Sequence, residues 1–355
     1  MKNSLADTAI GPDWVARGIA ICIPVRNERE LLPALFDALS EQSSSDVPVT
    51  LCLLFDGCTD GSEDFAAERA PYLPFGVVSA QSDSCAIPNA GRARRLAMAL
   101  GERVLNGRDG ALLTTDADSV PAADWVAATC RALSVADVVA GRIARQDHGH
   151  HPEQDRIEAY YDRLYALRRV IDPLPWEAES PHHYSGGASL AFRSDAYAVL
   201  GGFAPCPSGE DATIVDAAHR AGLRVRRDSA VRVKTSSRRE GRAIGGLADH
   251  LRSIDQADGF GVRVADPMDA IWQYRGHALA RASYARLDFA GVARLADQLS
   301  VEVGHVLRVR ARSPNEEAFA THVVPAAPGT GASIALRDAE LALSQLECDL
   351  LERAA

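Results

Sequence analysis

The stretch Ala111–Asp118 (ALLTTDAD) decides how this chain folds and what it can do. Its apolar start predicts a buried β-strand, and two carboxylates, Asp116 and Asp118, follow that strand directly. Burying charge is costly unless a cation or a hydrogen-bond network compensates for it. Carboxylate oxygens with room for water and phosphate oxygens suit Mg²⁺ or Mn²⁺. The pattern therefore predicts a metal site that binds a diphosphate.

The amino-acid composition excludes several classes of protein. The chain has 355 residues, 47% of them hydrophobic, and a net charge of -10, which argues against a nucleic-acid surface as its main role. Its 7 cysteines include no C-x-x-C pair, a usage that fits a reducing compartment better than a disulfide framework. No signal segment stands at the N-terminus, and no apolar run approaches the roughly 20 residues that span a bilayer. We therefore expect a soluble, cytoplasmic protein.

The first part of the chain alternates between two hydrophobic periodicities. Short apolar runs predict strands, and segments with helical spacing predict helices between them. The strands are predicted at 18–24, 49–55, 75–79 and 111–115, and the helices at 27–39, 59–70 and 89–104. This alternation is typical of an α/β domain with a parallel sheet, in which ligands bind beyond the carboxyl ends of the strands. Polar groups follow three predicted strands, at Pro24–Glu28, Asp56–Asp60 and Asp116–Asp118, so we expect one site at that edge.

The second part of the chain is less regular. We predict strands at 138–141 and 186–192, helices at 157–171, 193–200 and 212–221, mostly helices from about residue 245 to 323, and a tail helix at 334–353. We divide the chain into a catalytic domain, residues 1–240, and a helical C-terminal extension, residues 241–355.

Several ordered segments resemble the family 2 glycosyltransferases. They cover roughly residues 18–240, and their order is more specific than any one segment. The segments are Ile23–Glu28 (IPVRNE), Phe55–Ser62 (FDGCTDGS), Asn89–Arg94 (NAGRAR), Thr115–Asp118 (TDAD), Gly186–Arg193 (GGASLAFR), Gly201–Phe203 (GGF) and Gly209–Asp211 (GED).

The resemblance implies a GT-A fold, an α/β class with a Rossmann-like mixed sheet flanked by helices. It implies transfer of a sugar from a nucleoside diphosphate to an acceptor nucleophile, with inversion at the anomeric carbon. It further implies that Asp118 holds Mn²⁺ or Mg²⁺ on the diphosphate and that Asp116, the other acid of a DXD motif, supports the metal site and helps to bind the ribose or sugar of the donor. It also implies that Asp211 is the general base with Glu210 beside it. By the same resemblance, the nucleotide-sugar donor would contact Pro24, Arg26, Glu28, Asp56 and Arg94.

The chemistry of the residues agrees with that implication. A divalent cation stabilises the charge that develops on a diphosphate leaving group. A carboxylate such as Asp211 can accept the proton of an attacking hydroxyl. Downstream, Lys234–Arg239 offers hydroxyl and cationic contacts, and the guanidinium groups of Arg238 and Arg239 suit phosphate oxygens.

The chain also departs from the family pattern. Phe55-Asp56 stands where many members have two consecutive acids, so the base of the donor is not specified. The glutamine-arginine-tryptophan signature of processive synthases is absent from the sequence, which favours transfer of a single sugar. The acceptor, whether a small molecule, a glycan or a lipid-linked molecule, and the oligomeric state are not specified either.

Alternatives remain open from the sequence. Asp116 and Asp118 can be a loop pair that caps a helix, and Glu210-Asp211 can be acids favoured by a helix dipole. His182-His183 is interpreted as an ordinary loop, with an acceptor contact as the alternative. A catalytically inactive sugar-nucleotide-binding scaffold is a rival function. A nucleotidyltransferase is a weaker one, because the first strand is not followed by a glycine-rich phosphate loop.

Overall fold

The computed structural model describes residues 14–43, 46–83, 88–146, 152–236, 261–286, 288–329 and 333–354. Its strands are β1 (Ile19–Val25), β2 (Val49–Asp56), β3 (Gly76–Ser82), β4 (Ala111–Thr114), β5 (Ser119–Pro121), β6 (Val138–Arg145), β7 (Leu190–Arg193), β8 (Val225–Thr235), β9 (Arg263–Ala265) and β10 (Ser333–Ala335). Its helices are α1 (Leu32–Ser40), α2 (Ser62–Arg69), α3 (Ala90–Leu105), α4 (Trp125–Leu133), α5 (Pro152–Ile171), α6 (Ser194–Leu200), α7 (Glu210–Ala221), α8 (Pro267–Tyr284), α9 (Phe289–Gln298), α10 (Val303–Arg312), α11 (Glu316–Val323) and α12 (Leu336–Ala354).

Eight strands form one mixed sheet in the order β3-β2-β1-β4-β7-β6-β8-β5. The four strands predicted from the first part of the chain, β1 to β4, are all parallel to one another. The strand β7 is antiparallel to β4 and to β6, and β5 is antiparallel to β8. The predicted fold class, a mixed sheet flanked by helices with a mostly helical C-terminal region, is confirmed.

Both faces of the sheet are covered by helices, which explains the continuous apolar runs. Alternate residues of β1, Ile21 and Ile23, pack with α1, α2 and α4 on one face. Ala20 and Cys22 point to the other face and pack with α3, α6 and α7. All four side chains are fully buried. Burial of this kind stabilises the fold by about 1.5–3 kcal/mol for each large aliphatic side chain.

Two predicted elements begin later than expected. The helix α1 starts at Leu32 rather than Asn27, because Asn27 adopts a left-handed conformation (φ 55°) and its side chain accepts a hydrogen bond from the backbone of Thr59. The residues Gly187–Ser189 form a short 3₁₀ turn, so β7 starts only at Leu190. In both cases, residues that were predicted to begin a helix or a strand instead lie in the turn before it, at the edge of the sheet where the site is predicted.

Two strands of the sheet were missed by the sequence interpretation. The strand β5 is only three residues long, and β8 contains many charged residues that hide its alternation. They pair through Ser119↔Thr235, which brings the end of β8 beside the acidic stretch. The small sheet of β9 and β10 was missed as well.

The C-terminal helices pack on the catalytic part through α5 and α7. Arg281 of α8 forms ion pairs with Asp172, after α5, and with Glu317 of α11 (2.7 Å), while His219 of α7 lies 3.2 Å from Glu317. The predicted boundary at residues 240 and 241 falls outside the described residues and stays a prediction. None of the helices in the described ranges is long and apolar enough to cross a membrane.

Candidate active site

The carboxyl ends of three parallel strands meet at one edge of the sheet. The strands β2, β1 and β4 are adjacent there, as the sequence predicts. The loops after β1 and β2 are bonded to each other: the backbone N–H of Glu28 donates to Ser62 Oγ (3.0 Å), and that of Arg29 donates to Asp60 Oδ2 (2.9 Å). The polar groups of both loops are thus held at fixed positions along this edge.

Asp56, at the end of β2, is the centre of a positively charged cluster. Its Oδ2 accepts from Arg26 (3.0 Å), and its Oδ1 accepts from Ser82 Oγ (2.7 Å) and Arg92 (3.4 Å). The side chain of Asp56 is 4% exposed, whereas those of Arg26 and Arg92 are 24% and 35% exposed. The buried carboxylate therefore positions two guanidinium groups that reach the surface of the edge.

Arg94 of α3 connects the two acidic motifs. It donates to Asp116 Oδ1 (2.8 Å) and to Glu210 Oε1 (3.1 Å). It also donates to Thr114 Oγ1 (3.0 Å) and to the carbonyl of Gly187 (3.0 Å). One side chain thus joins α3 to three segments that are distant in the sequence: the end of β4, the Gly187 turn and the start of α7. The helix α3 itself begins after Asn89, whose side chain caps its N-terminus.

The electrostatics of this cluster keep Arg94 charged. Burial disfavours its charged form, but Asp116 and Glu210 outweigh that effect and raise the pKa of Arg94 above its ordinary value. Burial raises the pKa of Glu210, and the positive charge of Arg94 opposes this. The guanidinium lies against the backbone of Gly187, where a Cβ atom would be 2.4 Å from Arg94 Nη2. A side chain at position 187 would therefore displace the guanidinium of Arg94 from its ion pairs.

Asp211 occupies the first turn of α7 and is held by backbone groups. Its Oδ2 accepts from the N–H of Gly187 (2.9 Å), and its Oδ1 accepts from that of Ala212 (2.7 Å). Asp211 is half-buried, whereas Glu210 is buried against Arg94. Of the two adjacent acids, one is enclosed in the ion-pair cluster and the other borders solvent in a defined orientation.

Asp118 follows β4 and contacts the end of β8. Its Oδ1 accepts from Thr235 Oγ1 (3.4 Å), and Ser119 Oγ donates to the same threonine (3.2 Å). Over the ranges that the structure describes, no group of three or more His, Cys, Asp or Glu side chains is placed to hold a metal ion. A donor set of one or two carboxylates fits a hard cation that completes its shell with water and diphosphate oxygens, as Mg²⁺ commonly does. Asp118 and Asp116 are the residues that would hold it.

The remaining residues that were predicted to contact the donor lie in different surroundings. Pro24 lies within β1, paired with Leu54, and Glu28 is 7% exposed in the loop after that strand. Arg238 and Arg239 lie outside the described residues, and their predicted phosphate contact stays a prediction.

His182 and His183 precede the Gly187 turn but have different surroundings. Burial lowers the pKa of His182 to about 3; its Nδ1 accepts from the N–H of Tyr184 (3.0 Å) and its Nε2 faces a backbone carbonyl. His183 Nδ1 lies 2.8 Å from Asp162 Oδ1, and Arg142 donates to Asp162 Oδ2 (2.8 Å). His182 therefore has a structural role, while His183 belongs to a half-buried polar cluster.

Sequence reasoning missed several residues of this edge. Arg92 and Ser82 bond to Asp56, Thr114 bonds to Arg94, and Thr235 bonds to Asp118. Arg92 had a detectable signal, because it lies in the same NAGRAR segment as Arg94, at the start of a predicted helix. Thr235 lies in the hydroxyl-rich segment Lys234–Arg239, but its contact with Asp118 was not foreseen. Ser82 and Thr114 had no signal, since hydroxyl residues at strand ends are common in any fold.

A search of family profiles finds one described as "Glycosyl transferase family 2", which matches residues 20–199. That span contains every edge residue described above except Glu210, Asp211 and Thr235. No curated protein matches the chain significantly.

Solved structures similar to this one have low sequence identity. The mannosyltransferase PcManGT from Pyrobaculum calidifontis, in complex with GDP-Man and Mn²⁺, is 17% identical, with 88% of this chain and 87% of that chain covered and a TM-score of 0.46. Residues 1–349 of S. aureus TarS, with UDP-GlcNAc, are 12% identical, with 85% and 89% covered and a TM-score of 0.48. Glucosyl-3-phosphoglycerate synthase from Mycobacterium tuberculosis, with Mn²⁺, UDP and phosphoglyceric acid, is 19% identical, with 70% and 82% covered and a TM-score of 0.40.

Proposed function

The chain belongs to glycosyl transferase family 2 and is a glycosyltransferase, and from that premise we propose a specific reaction for it. It moves a single sugar from a nucleoside-diphosphate sugar to a hydroxyl group of an acceptor, with inversion at the anomeric carbon and with the help of a divalent cation. The donor binds along the carboxyl ends of β1, β2 and β4, where strand order and polar loops favour a ligand.

The observation that carries this proposal is the position of Arg94 between Asp116 and Glu210. The two bonds, 2.8 Å and 3.1 Å long, join the acidic stretch after β4 to the acid pair that opens α7. A donor diphosphate near the first and a proton acceptor near the second would then be adjacent. That adjacency is what a direct displacement requires, because both reacting groups must be held together.

We assign the cation to Asp118, with help from Asp116. Arg94 bonds to Asp116 Oδ1 and so already engages one oxygen of that carboxylate. When bound, Mn²⁺ or Mg²⁺ supplies electrostatic stabilisation of the departing diphosphate. The guanidinium groups of Arg26 and Arg92, which Asp56 holds at the surface, suit the nucleotide or its phosphates.

We assign the general base to Asp211. Its half-buried carboxylate accepts the proton of the acceptor hydroxyl while the hydroxyl oxygen forms a bond to the anomeric carbon. The bond from that carbon to the diphosphate oxygen breaks on the opposite side, and the nucleoside diphosphate leaves with the electron pair. The N–H of Gly187, 2.9 Å from Asp211 Oδ2, orients the carboxylate. Glu210 acts as a positioning residue through Arg94.

The first experiment is a thermal-shift panel of UDP, GDP, ADP, CDP and dTDP, each with and without Mn²⁺. A ligand that binds only the native state raises the melting temperature by mass action. A rise with one diphosphate that requires metal supports the proposed donor site and identifies the base. No rise with any of them favours the scaffold alternative.

The role of Asp211 is tested separately. Asp211→Asn should keep the nucleotide-induced shift and lower turnover with an identified acceptor by about 10²–10⁴-fold. The matched control is Asp216→Asn, which removes an exposed carboxylate of the same helix that pairs with Arg220 (2.7 Å) and lies outside the proposed active site. Near-normal turnover in Asp211→Asn would show that the base is another group.

A further inference from the structure

A pocket lies among the helices α7, α10 and α11. It has a volume of about 410 Å³ and is formed by α7, α10, α11 and the turn between the last two. Five basic side chains from these three helices line it: Arg220, His305, Arg308, Arg312 and His322. Among the described residues that line it, none is a carboxylate. This is unusual in a chain whose net charge is -10.

The cations of this pocket are largely uncompensated. Arg220 forms an exposed ion pair with Asp216 (2.7 Å). In the part of the chain covered by the structure, Arg308 and Arg312 have no carboxylate within ion-pair distance. The side chain of Arg308 lies over Gly304, where a Cβ would be 3.1 Å from its Nη1. Gathering like charges is unfavourable unless an anion is bound between them.

Helix dipoles explain only part of the cluster. Arg220 and Arg312 each stand in the last turn of a helix, where a positive charge is favoured. Arg308 lies in the middle of α10, where the dipole does not favour it. The convergence of these three arginines on one cavity therefore needs another reason.

We propose that this pocket binds a phosphate-bearing molecule. Guanidinium groups form paired, charge-assisted hydrogen bonds with phosphate oxygens. The cavity volume is within the range of about 300–1,000 Å³ that small-molecule sites occupy. Val309 and Pro314 add an apolar wall, which suits an organic group attached to the phosphate.

The pocket is distinct from the donor site. Arg220 lies in the last turn of α7 and Asp211 in its first, about 14 Å apart along the helix axis. A ligand that contacts Arg220, Arg308 and Arg312 is therefore at the end of α7 opposite to Asp211. The same helix thus presents an acid to the proposed active site and a cation to this pocket.

The test is calorimetric titration of the full chain with inorganic pyrophosphate in EDTA, so that no divalent cation supports binding at the donor site. Arg308→Gln with Arg312→Gln should weaken binding at least about tenfold, because each lost charge-assisted hydrogen bond accounts for roughly that factor. Both side chains are exposed, so the double variant should keep the melting temperature of the wild type.

The matched control is Arg69→Gln with Arg131→Gln, which removes two exposed arginines from α2 and α4, on the opposite face of the sheet from α7. Its affinity should equal that of the wild type. A second arm measures sedimentation with phosphatidylcholine vesicles that do or do not contain phosphatidic acid, and it distinguishes a lipid phosphate from a free one. Equal binding by the wild type and the Arg308/Arg312 variant in both arms would overturn the proposal.

Discussion

Replacing Arg94 with methionine should destabilise the protein by about 4 kcal/mol. Methionine fills a similar volume but removes two charge-assisted bonds, each contributing about 1.5–3 kcal/mol. The side chain of Glu210 is 5% exposed, so its charge would lose the ion pair with Arg94 while it stays shielded from water. Asp116 is 34% exposed, so water can solvate its carboxylate after the substitution, and the loss of its ion pair adds little to the destabilisation. Removing one partner of a buried ion pair generally costs about 3–5 kcal/mol.

The assay is urea unfolding followed by tryptophan fluorescence, in which a loss of this size lowers the midpoint by about 1 M or more. Arg95→Met is the control, because Arg95 is the adjacent, exposed arginine with one hydrogen bond, to the carbonyl of Phe203. Adding Glu210→Gln to Arg94→Met removes the unpaired buried charge and should restore at least about 1 kcal/mol. A loss below about 1 kcal/mol in Arg94→Met would refute the idea that Arg94 compensates a buried charge.

Three further predictions concern other parts of the edge and its supports. Asp118→Asn should abolish the Mn²⁺-dependent rise in melting temperature with nucleoside diphosphate, measured by thermal shift. Burial would raise the pKa of Asp162, but hydrogen bonds from His183 and Arg142 lower it to about 2. The Asp162 carboxylate therefore stabilises the fold by about 2 kcal/mol above pH 4, and in urea unfolding the difference between wild type and Asp162→Asn should shrink as the pH falls from 4 towards 2. Gly91→Ala should lower the free energy of unfolding by about 1–3 kcal/mol or more, because its Cβ would lie 2.0 Å from a backbone carbonyl oxygen.

Each of these three predictions can be contradicted by one result. If Asp118→Asn kept the metal-dependent rise in melting temperature, Asp118 would not be the residue that holds the cation. If the difference in stability between the wild type and Asp162→Asn stayed constant between pH 4 and pH 2, the charge of Asp162 would not be its cause. Gly76→Ala is the control for Gly91→Ala, because nothing lies within 4 Å of a Cβ at position 76. Equal melting temperatures for the two glycine variants would contradict the close packing of α3.

Much of the sheet was predictable because of how parallel strands are buried. The strands β1, β2 and β4 are covered on both faces, so they form continuous apolar runs in the sequence. The strand β8 was not recognised, since its residues Val225–Thr235 alternate between buried and half-exposed charged positions. The strand β5 was too short to show any periodicity.

The candidate residues were predictable as types but not as partners. Asp116 and Glu210 were each identified from motifs near them. Their shared contact with Arg94 was not, because the partners are 22 and 116 positions away from it in the chain. Likewise, the basic pocket draws Arg220 from one helix and Arg308 from another, and no local pattern connects them.

The sequence by itself determined the parallel half of the sheet, the edge at which polar loops follow its strands, and the resemblance to a glycosyltransferase family. These features are local, because hydrophobic periodicity and short motifs are written in adjacent residues. Only the tertiary structure decided that Glu210 is enclosed by Arg94 while Asp211 borders solvent. The physical reason is that ion pairing and burial depend on distances in space, and packing sets those distances between segments that the sequence keeps far apart.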